Sequence, residues 1–153
     1  MAWSASKIFM AWLEDTFENT AALDANADTF KAALYDNDIT PDSQVATASS
    51  LYNAGQWTAA GNEVSDGTEW DAGGEPLTGF TCTRATNVLT IDATDTPSGG
   101  SSATLAAVFG CLVYDDTVGD QGLSFHYFGG SNSVTDGTFT VIWNAAGLLT
   151  ITL

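Results

Sequence analysis

Ser124 and His126 are the first candidates for chemistry, because a serine hydroxyl beside an imidazole can act as a nucleophile with its base. They lie two residues apart in an aromatic run, and His126 is the only histidine of the sequence. Alternate residues of a strand share a face, so a strand here would bring the two side chains together. No nucleophile-elbow motif frames them, and no spacing singles out an orienting acid. We therefore expect a structural histidine and a protein that is not an enzyme.

Two acidic loops could hold a metal ion. Asp24-Ala-Asn-Ala-Asp28 matches the first half of a calcium loop. The match then fails, since Thr29 replaces the glycine at position six and Tyr35 replaces the glutamate at position twelve. The second loop, 115–120, carries three aspartates without recognisable ligand spacing. We expect Asx-rich turns with neither metal nor cofactor, and the sequence leaves calcium binding by these loops open.

The charge of the chain excludes some classes of partner. Lys7, Lys31 and Arg84 face 19 acidic residues, which gives a formal net charge of −16. Nucleic-acid binding needs clustered cations, and so does binding to an anionic membrane surface. We therefore expect neither a nucleic acid nor an anionic membrane as a partner. The acidity favours a soluble, self-repelling surface, with a high-salt habitat or a cationic partner as the alternatives.

Length and composition predict one globular domain over residues 1–153. Hydrophobic residues make up 44% of the chain, whereas charged residues make up only 14%, so the polar surface must be rich in Thr, Ser, Asn and Asp. No secretory signal or membrane span is recognisable. Cys82 and Cys111 lie far apart in apolar or Thr-rich runs, and we expect them to be buried free thiols, with one disulfide between them as the alternative.

An amphipathic helix is predicted over about 4–19, where Phe9, Leu13 and Phe17 recur every fourth residue. The apolar surface of this segment is widened by Trp3, Met10 and Trp12. A helix packed on its own sheet explains this pattern, and contact of these three side chains with another subunit is the alternative.

The rest of the chain, about 29–153, is predicted to be rich in β-structure. Short apolar or Thr-rich runs separated by turn residues are typical of antiparallel strands. The predicted strands cover 29–35, 80–83, 88–92, 105–114 and 122–128, with a short helix within 43–57 and a long ordered loop over 62–79. The fold class is therefore mainly β (α+β), an antiparallel β-sandwich or barrel with an N-terminal helix.

The last stretch, 137–153, is predicted to form a β-hairpin. Apolar residues alternate with threonines on both sides of Asn144-Ala-Ala-Gly147, whose end residues suit a type I turn and its left-handed closure. A three-residue loop would pair Trp143 with Leu149 and Val141 with Ile151. We expect the six apolar residues of this hairpin to lie in the core: Phe139, Val141, Trp143, Leu149, Ile151 and Leu153.

Trp57 and Trp70 lie in loop-like sequence, unlike Trp143. Aromatic side chains anchor protein interfaces as well as cores, so these two are interface candidates together with Trp3, Met10 and Trp12. An exposed pair of indoles would also suit a carbohydrate-binding β-sandwich, although no motif supports one.

Seven short segments, in order along the chain, are similar to a family of small virion proteins of tailed bacteriophages, the head decoration or minor capsid proteins. The segments are Lys31-Ala-Ala-Leu34, Thr40-Pro41-Asp42, Asn62-Glu-Val-Ser-Asp-Gly67, Gly73-Gly-Glu-Pro-Leu-Thr-Gly79, Asp92-Ala93, Val113-Tyr-Asp115 and Asp136-Gly-Thr-Phe-Thr-Val-Ile-Trp-Asn-Ala-Ala-Gly147. They extend over about two thirds of the chain, and the last segment is the most specific.

The resemblance implies a non-enzymatic structural protein that binds and decorates a capsid in many copies. Its expected partners are the major capsid protein and copies of itself in a symmetric homo-oligomer such as a trimer. Its expected location is the virion, assembled in the host cytoplasm. A structural component of the phage tail is the nearest alternative, and a carbohydrate-binding module is the alternative from another class.

Overall fold

The computed structural model describes residues 3–18 and 24–152. Their elements follow one another as β1 (Lys7–Ile8), α1 (Met10–Glu18), β2 (Phe30–Tyr35), α2 (Thr47–Ser50), β3 (Glu75–Pro76), β4 (Thr81–Ala85), β5 (Val88–Asp92), β6 (Thr96–Pro97), β7 (Ala103–Asp115), β8 (Gln121–Gly137), β9 (Thr140–Val141) and β10 (Leu149–Thr152). The strands predicted at 29–35, 88–92, 105–114 and 122–128 all occur, and α2 supplies the short helix.

The strands form three sheets, and every pair in them is antiparallel. The largest has the order β1-β8-β7-β2-β3, a second has β10-β5-β4, and a third joins β6 to β9. In the part of the chain that the structure describes, the sheets keep open edges and do not close into a barrel. The predicted mainly β class is confirmed, in the form of a sandwich-like α+β fold with an N-terminal helix.

The N-terminal helix begins later than predicted. It starts at Met10 rather than near residue 4, and position 19 of the predicted span lies outside the described residues. The preceding residues instead add β1 to the edge of β8, where the backbone N–H of Phe9 donates to the Leu123 carbonyl at 3.0 Å. The Ser6 hydroxyl accepts from the backbone N–H of Tyr127 at 2.9 Å. Sheet pairing therefore replaces the first turns of the predicted helix.

The predicted C-terminal hairpin is wrong in its pairing, although its turn forms. The backbone N–H of Gly147 donates to the Asn144 carbonyl at 2.8 Å, and Gly147 has a φ of +106°. The two flanking strands then separate, because β9 pairs with β6 and β10 pairs with β5. Trp143 donates its backbone N–H to the Asp95 carboxylate and its indole N–H to the Thr96 hydroxyl, which holds this side of the turn against β6.

This separation changes which of the apolar residues are buried. Val141 and Trp143 belong to the core, as predicted. After the turn, Leu148 is buried instead of Leu149, which is only partly covered. Of the other predicted core residues, Phe139 and Ile151 are also half-buried, and Leu153 lies outside the described residues.

An aromatic cluster covers one face of the five-stranded sheet around Trp57, which has no exposed surface. Trp3, Phe9 and Tyr35 all place ring centroids 5.1–5.9 Å from that of Trp57, in edge-to-face contacts. Phe125 of β8 completes what we call the Trp57 cluster, at 5.9 Å. The Tyr35 hydroxyl donates to the Trp57 carbonyl at 2.7 Å, so the loop backbone at this point is satisfied as well.

The long loop 62–79 is ordered, as predicted, and Asp66 organises its first half. One Asp66 oxygen accepts the backbone N–H groups of Thr68, Glu69 and Trp70 at 2.8–3.0 Å. The other accepts the backbone N–H of Thr104 at 3.0 Å, at the start of β7. These bonds, led by that from Trp70, hold the pKa of Asp66 well below its ordinary value. They turn the Trp70 indole into the core, where it is fully buried.

We predict that Gly74→Ala destabilises the protein by about 3 kcal/mol or more, because overpacking adds to backbone strain. Gly74 has a φ of +79°, and a Cβ atom there would lie 2.6 Å from the backbone nitrogen of Ala33 in β2. The measurement is the free energy of unfolding in urea.

Gly67→Ala is the matched control. Gly67 has a similar φ of +72°, but a Cβ atom there would meet nothing within 4 Å. Backbone strain alone should cost about 1–2 kcal/mol. Equal losses in the two variants would contradict the close approach of Gly74 to β2.

Candidate docking surface

The structure brings Ser124 and His126 together, as their spacing predicts. Both lie on β8, and the Ser124 hydroxyl is 2.9 Å from Nε2 of His126. Ser124 is buried, however, and within residues 3–18 and 24–152 no carboxylate is hydrogen-bonded to the other ring nitrogen. The imidazole packs edge-on against Trp143, with ring centroids 5.2 Å apart. This geometry lacks the third group that orients a catalytic base and fits a histidine that supports the packing of Trp143.

Burial lowers the pKa of His126 to about 4, because the charged imidazolium loses its hydration. The ring is therefore neutral near pH 7. A base with so low a pKa is poorly matched to proton transfer at that pH, which gives a second physical argument for a structural role.

In both acidic loops, carboxylates accept hydrogen bonds from backbone N–H groups of the same loop. Within 24–28, the Asp24 carboxylate accepts the backbone N–H of Asn26 at 2.9 Å, and the Asp28 carboxylate accepts that of Asp24 at 2.6 Å. The Asp115 carboxylate accepts the backbone N–H of Thr117 in the same manner. The expected Asx-rich turns are thus present. Among the described residues, no group of three or more His, Cys, Asp or Glu side chains is placed to hold a metal ion.

The interface candidates lie mostly inside the chain. Trp57 and Trp70 are fully buried, and Trp3 and Trp12 retain only 5% and 8% of their exposure. Of the five candidates only Met10, which is 54% exposed, presents a surface. A carbohydrate platform of exposed Trp57 and Trp70 is therefore contradicted. The loop sequence around both indoles suggested exposure, but the hydrogen bonds of Tyr35 and Asp66 fold these loops inward.

Cys82 and Cys111 are free thiols, as expected. Cys111 is buried on β7, whereas Cys82 on β4 is only partly covered.

An apolar groove lies between α1 and the three-stranded sheet. Phe17 of α1, Leu89 of β5 and Ile151 of β10 line both of its adjoining depressions, which measure about 400 and 250 Å³. We call this site the α1 groove and define it by these three side chains. Trp12 and Leu13 adjoin Ile91 in the smaller depression, whereas Phe17 is the only α1 residue that lines the larger one.

The α1 groove exposes apolar surface that the fold does not cover. Phe17 is 85% exposed and Leu89 is 37% exposed. Met10, seven residues before Phe17, lies on the same side of the helix and extends the apolar surface along it. Large exposed apolar patches mark interaction sites more often than single scattered side chains do.

The charge of the α1 groove differs from that of the whole chain. Arg84, one of three basic residues, is the only charged side chain among the described residues that line it. A chain with 19 acidic residues thus has an apolar site without a carboxylate among its described lining residues. The sequence pattern predicts Phe17 and Ile151 on buried surfaces. Phe17 recurs every fourth residue with Phe9 and Leu13, and Ile151 alternates with threonines, but neither pattern shows how far the sheet covers α1.

The described chain contains no helix that is both long enough and apolar enough to cross a bilayer.

Comparisons with protein-family models, with curated proteins and with solved structures found no match. The similarity to phage decoration proteins therefore stays a prediction based on the segments named above.

We predict that His126→Gln flattens the pH dependence of stability between pH 6.5 and 4. The pKa of His126 is lower in the folded chain than in the unfolded chain, so the unfolded state binds more protons in this range. The wild type should lose stability as the pH falls from 6.5 to 4, by about 3 kcal/mol at full effect. One edge of the ring borders a cleft beside Ser6 and Leu148. Because water can partly hydrate the imidazolium there, the expected loss of stability is reduced to about 2 kcal/mol.

Urea unfolding at pH 7.5, 6, 5 and 4 measures this difference. Every other titrating group is common to the two proteins, so the wild-type curve minus the variant curve isolates the histidine. Parallel curves would contradict a buried neutral His126.

Proposed function

We propose that this protein is a non-enzymatic structural component of a bacteriophage virion that decorates or stabilises the capsid, and that the α1 groove is its docking site. The observation that carries the proposal is the exposed Phe17 over an apolar groove whose described lining residues include no carboxylate. The seven segments similar to decoration proteins supply the biological context, with the virion as location.

An apolar side chain of the major capsid protein is the occupant that fits this groove. The Phe17 ring would leave water on docking, which is worth about 1.5–3 kcal/mol for each copy. Arg84 at the groove would favour a carboxylate on the rim of the partner surface. A second copy of this chain fits less well, because two chains of net charge −16 repel each other.

A lattice of many copies suits this arrangement. Contacts to the shell through the α1 groove would leave most of the acidic surface facing solvent, where it keeps particles soluble and does not attract DNA. Copies in a symmetric oligomer, such as a trimer, would repel each other through their negative charges. Binding to the shell, or contact between copies through a surface poor in carboxylates, is needed to overcome this repulsion.

The function is tested with particles of the encoding phage that were assembled without this protein. The purified chain is added, the particles are sedimented, and their image reconstruction is compared with that of untreated particles. Extra density of about this size at regular head positions is the expected result. Density on the tail would favour the tail alternative, and a protein that remains free in the supernatant would refute a virion role.

We predict that Phe17→Ser weakens binding to particles at least tenfold, because the lost apolar burial is worth about 1.5–3 kcal/mol. The side chain is 85% exposed, so stability should change by less than about 0.5 kcal/mol. Cosedimentation over a concentration series gives the affinity, and thermal unfolding checks the fold.

Ile142→Ser is the matched control, since Ile142 is 76% exposed and does not line the α1 groove. Its binding should equal that of the wild type. If both variants bind like the wild type while particles still carry the protein, docking occurs elsewhere, and the virion role survives without the α1 groove.

A further inference from the structure

A cleft lies between the outer edges of two of the sheets. β1 is an edge strand of the five-stranded sheet, and β10 is an edge strand of the three-stranded sheet. Residues 6–8 line one side of a depression of about 240 Å³, residues 148–150 line the other, and Ser124 and His126 of β8 complete the lining. We call this site the edge cleft and define it by these eight residues. It is separate from the α1 groove, because none of the three side chains that define that groove lines it.

The edge of β10 at this cleft has no partner strand in the part of the chain that the structure describes. β10 pairs with β5 on its other side, and no described residue of β5 lines the edge cleft. The cleft therefore borders the open side of β10. Alternate residues of an edge strand direct their backbone N–H and C=O groups outward, where a further strand can pair with them.

The sequence of β10 does not guard this edge. Natural proteins protect exposed edges with charged side chains, proline or bulges. β4, the opposite edge of the same sheet, carries Arg84. β10 contains only leucine, isoleucine and threonine, and it pairs with β5 without a register shift. Its composition thus favours pairing with another strand.

The charge of the edge cleft is opposite to that of the whole chain. Lys7 is exposed, and no described lining residue carries a carboxylate. Within residues 3–18 and 24–152, Lys7 forms no ion pair, unlike Lys31, which pairs with Asp116 at 3.0 Å. Repulsion from distant acidic residues is largely screened beyond about 8–10 Å at physiological ionic strength. A carboxylate that reaches the cleft therefore meets mainly the charge of Lys7.

We propose that the edge cleft binds an extended segment of a partner protein, which adds to β10 as a further strand of its sheet and places a carboxylate beside Lys7. Main-chain hydrogen bonds to β10 supply the affinity of such strand addition, and the side chains supply its specificity. A second copy of this chain fits less well, because two chains of net charge −16 repel each other. The inference does not depend on the proposed virion role.

The first experiment is selection from a displayed library of random peptides, with the purified full chain as the bait. Peptides of about eight residues are long enough, because the four residues of β10 extend over about 13 Å. Enriched sequences should alternate apolar or β-branched residues, lack internal proline and carry an Asp or Glu at a constant position. One enriched peptide is then synthesised, and its affinity is measured by calorimetric titration.

Lys7→Gln should weaken binding of this peptide about threefold to fivefold, the effect of losing one exposed ion pair. Lys31→Gln is the matched control, since it removes the same charge from β2, outside the edge cleft, and should bind like the wild type. Lys7→Glu should prefer a peptide with Lys in place of its acidic residue. This exchange of preference requires contact between the two side chains.

Hydrogen exchange distinguishes strand addition from contact through side chains alone. In the peptide complex, the backbone N–H groups of alternate residues of β10 should exchange about tenfold more slowly or less, because they enter new hydrogen bonds. The backbone N–H groups of β4, the other edge of the sheet, should exchange as in the free protein.

Four results would overturn the proposal. The first is a selection that enriches no common sequence. The second is a peptide that binds Lys7→Gln as tightly as the wild type or more tightly, since Lys7 would then only guard the edge. Unchanged exchange at β10 in the complex would exclude strand addition. Self-association in sedimentation velocity that Lys7→Gln removes would assign the edge cleft to a second copy. None of these results bears on particle binding through the α1 groove, which Phe17→Ser tests.

Discussion

Packing of the Trp57 cluster on one face of the five-stranded sheet is the interaction on which the rest of the described structure depends. The cluster joins side chains from the N-terminal segment, from a loop and from two strands. The sheet makes room for them at two strand glycines. A Cβ atom would lie 2.6 Å from the Trp3 ring at Gly110 and 2.9 Å from the Phe9 ring at Gly122. Glycine normally weakens a strand, so its presence here reflects the close approach of these rings.

The α1 groove is a consequence of this packing of the Trp57 cluster on the sheet. Trp3 and Phe9 are drawn onto the sheet, and the residues between them include β1, so α1 begins only at Met10. Trp12 and Leu13, in the first half of the helix, adjoin Ile91 of β5. Phe17, one turn later, reaches the level of Leu89, where no other α1 side chain lines the groove. The same aromatic contacts that stabilise the core therefore determine which apolar surface remains open.

Sequence patterns predict the local structure well here, and fail where the partner of a segment lies far along the chain. A short apolar run between turn residues identifies β5 at 88–92, and the Asn144–Gly147 turn forms as expected. Neither pattern shows that β9 and β10 join different sheets, because that choice depends on contacts of Trp143 with residues 95 and 96. Likewise, the apolar type of Phe17 is evident from the sequence, but its exposure depends on which part of the helix the sheet covers.

The acidity of this chain is not required by its turns. Asp24, Asp36 and Asp42 each accept the backbone N–H two residues on, and the uncharged Asn144 makes the same bond. An oxygen atom is all that such a turn needs, so the negative charges act between molecules, where they repel. Association with a partner meets the least repulsion at a surface such as the α1 groove, where no described lining residue carries a carboxylate. Asp115 differs from these acids, because it is buried and its burial raises the pKa of the carboxyl group.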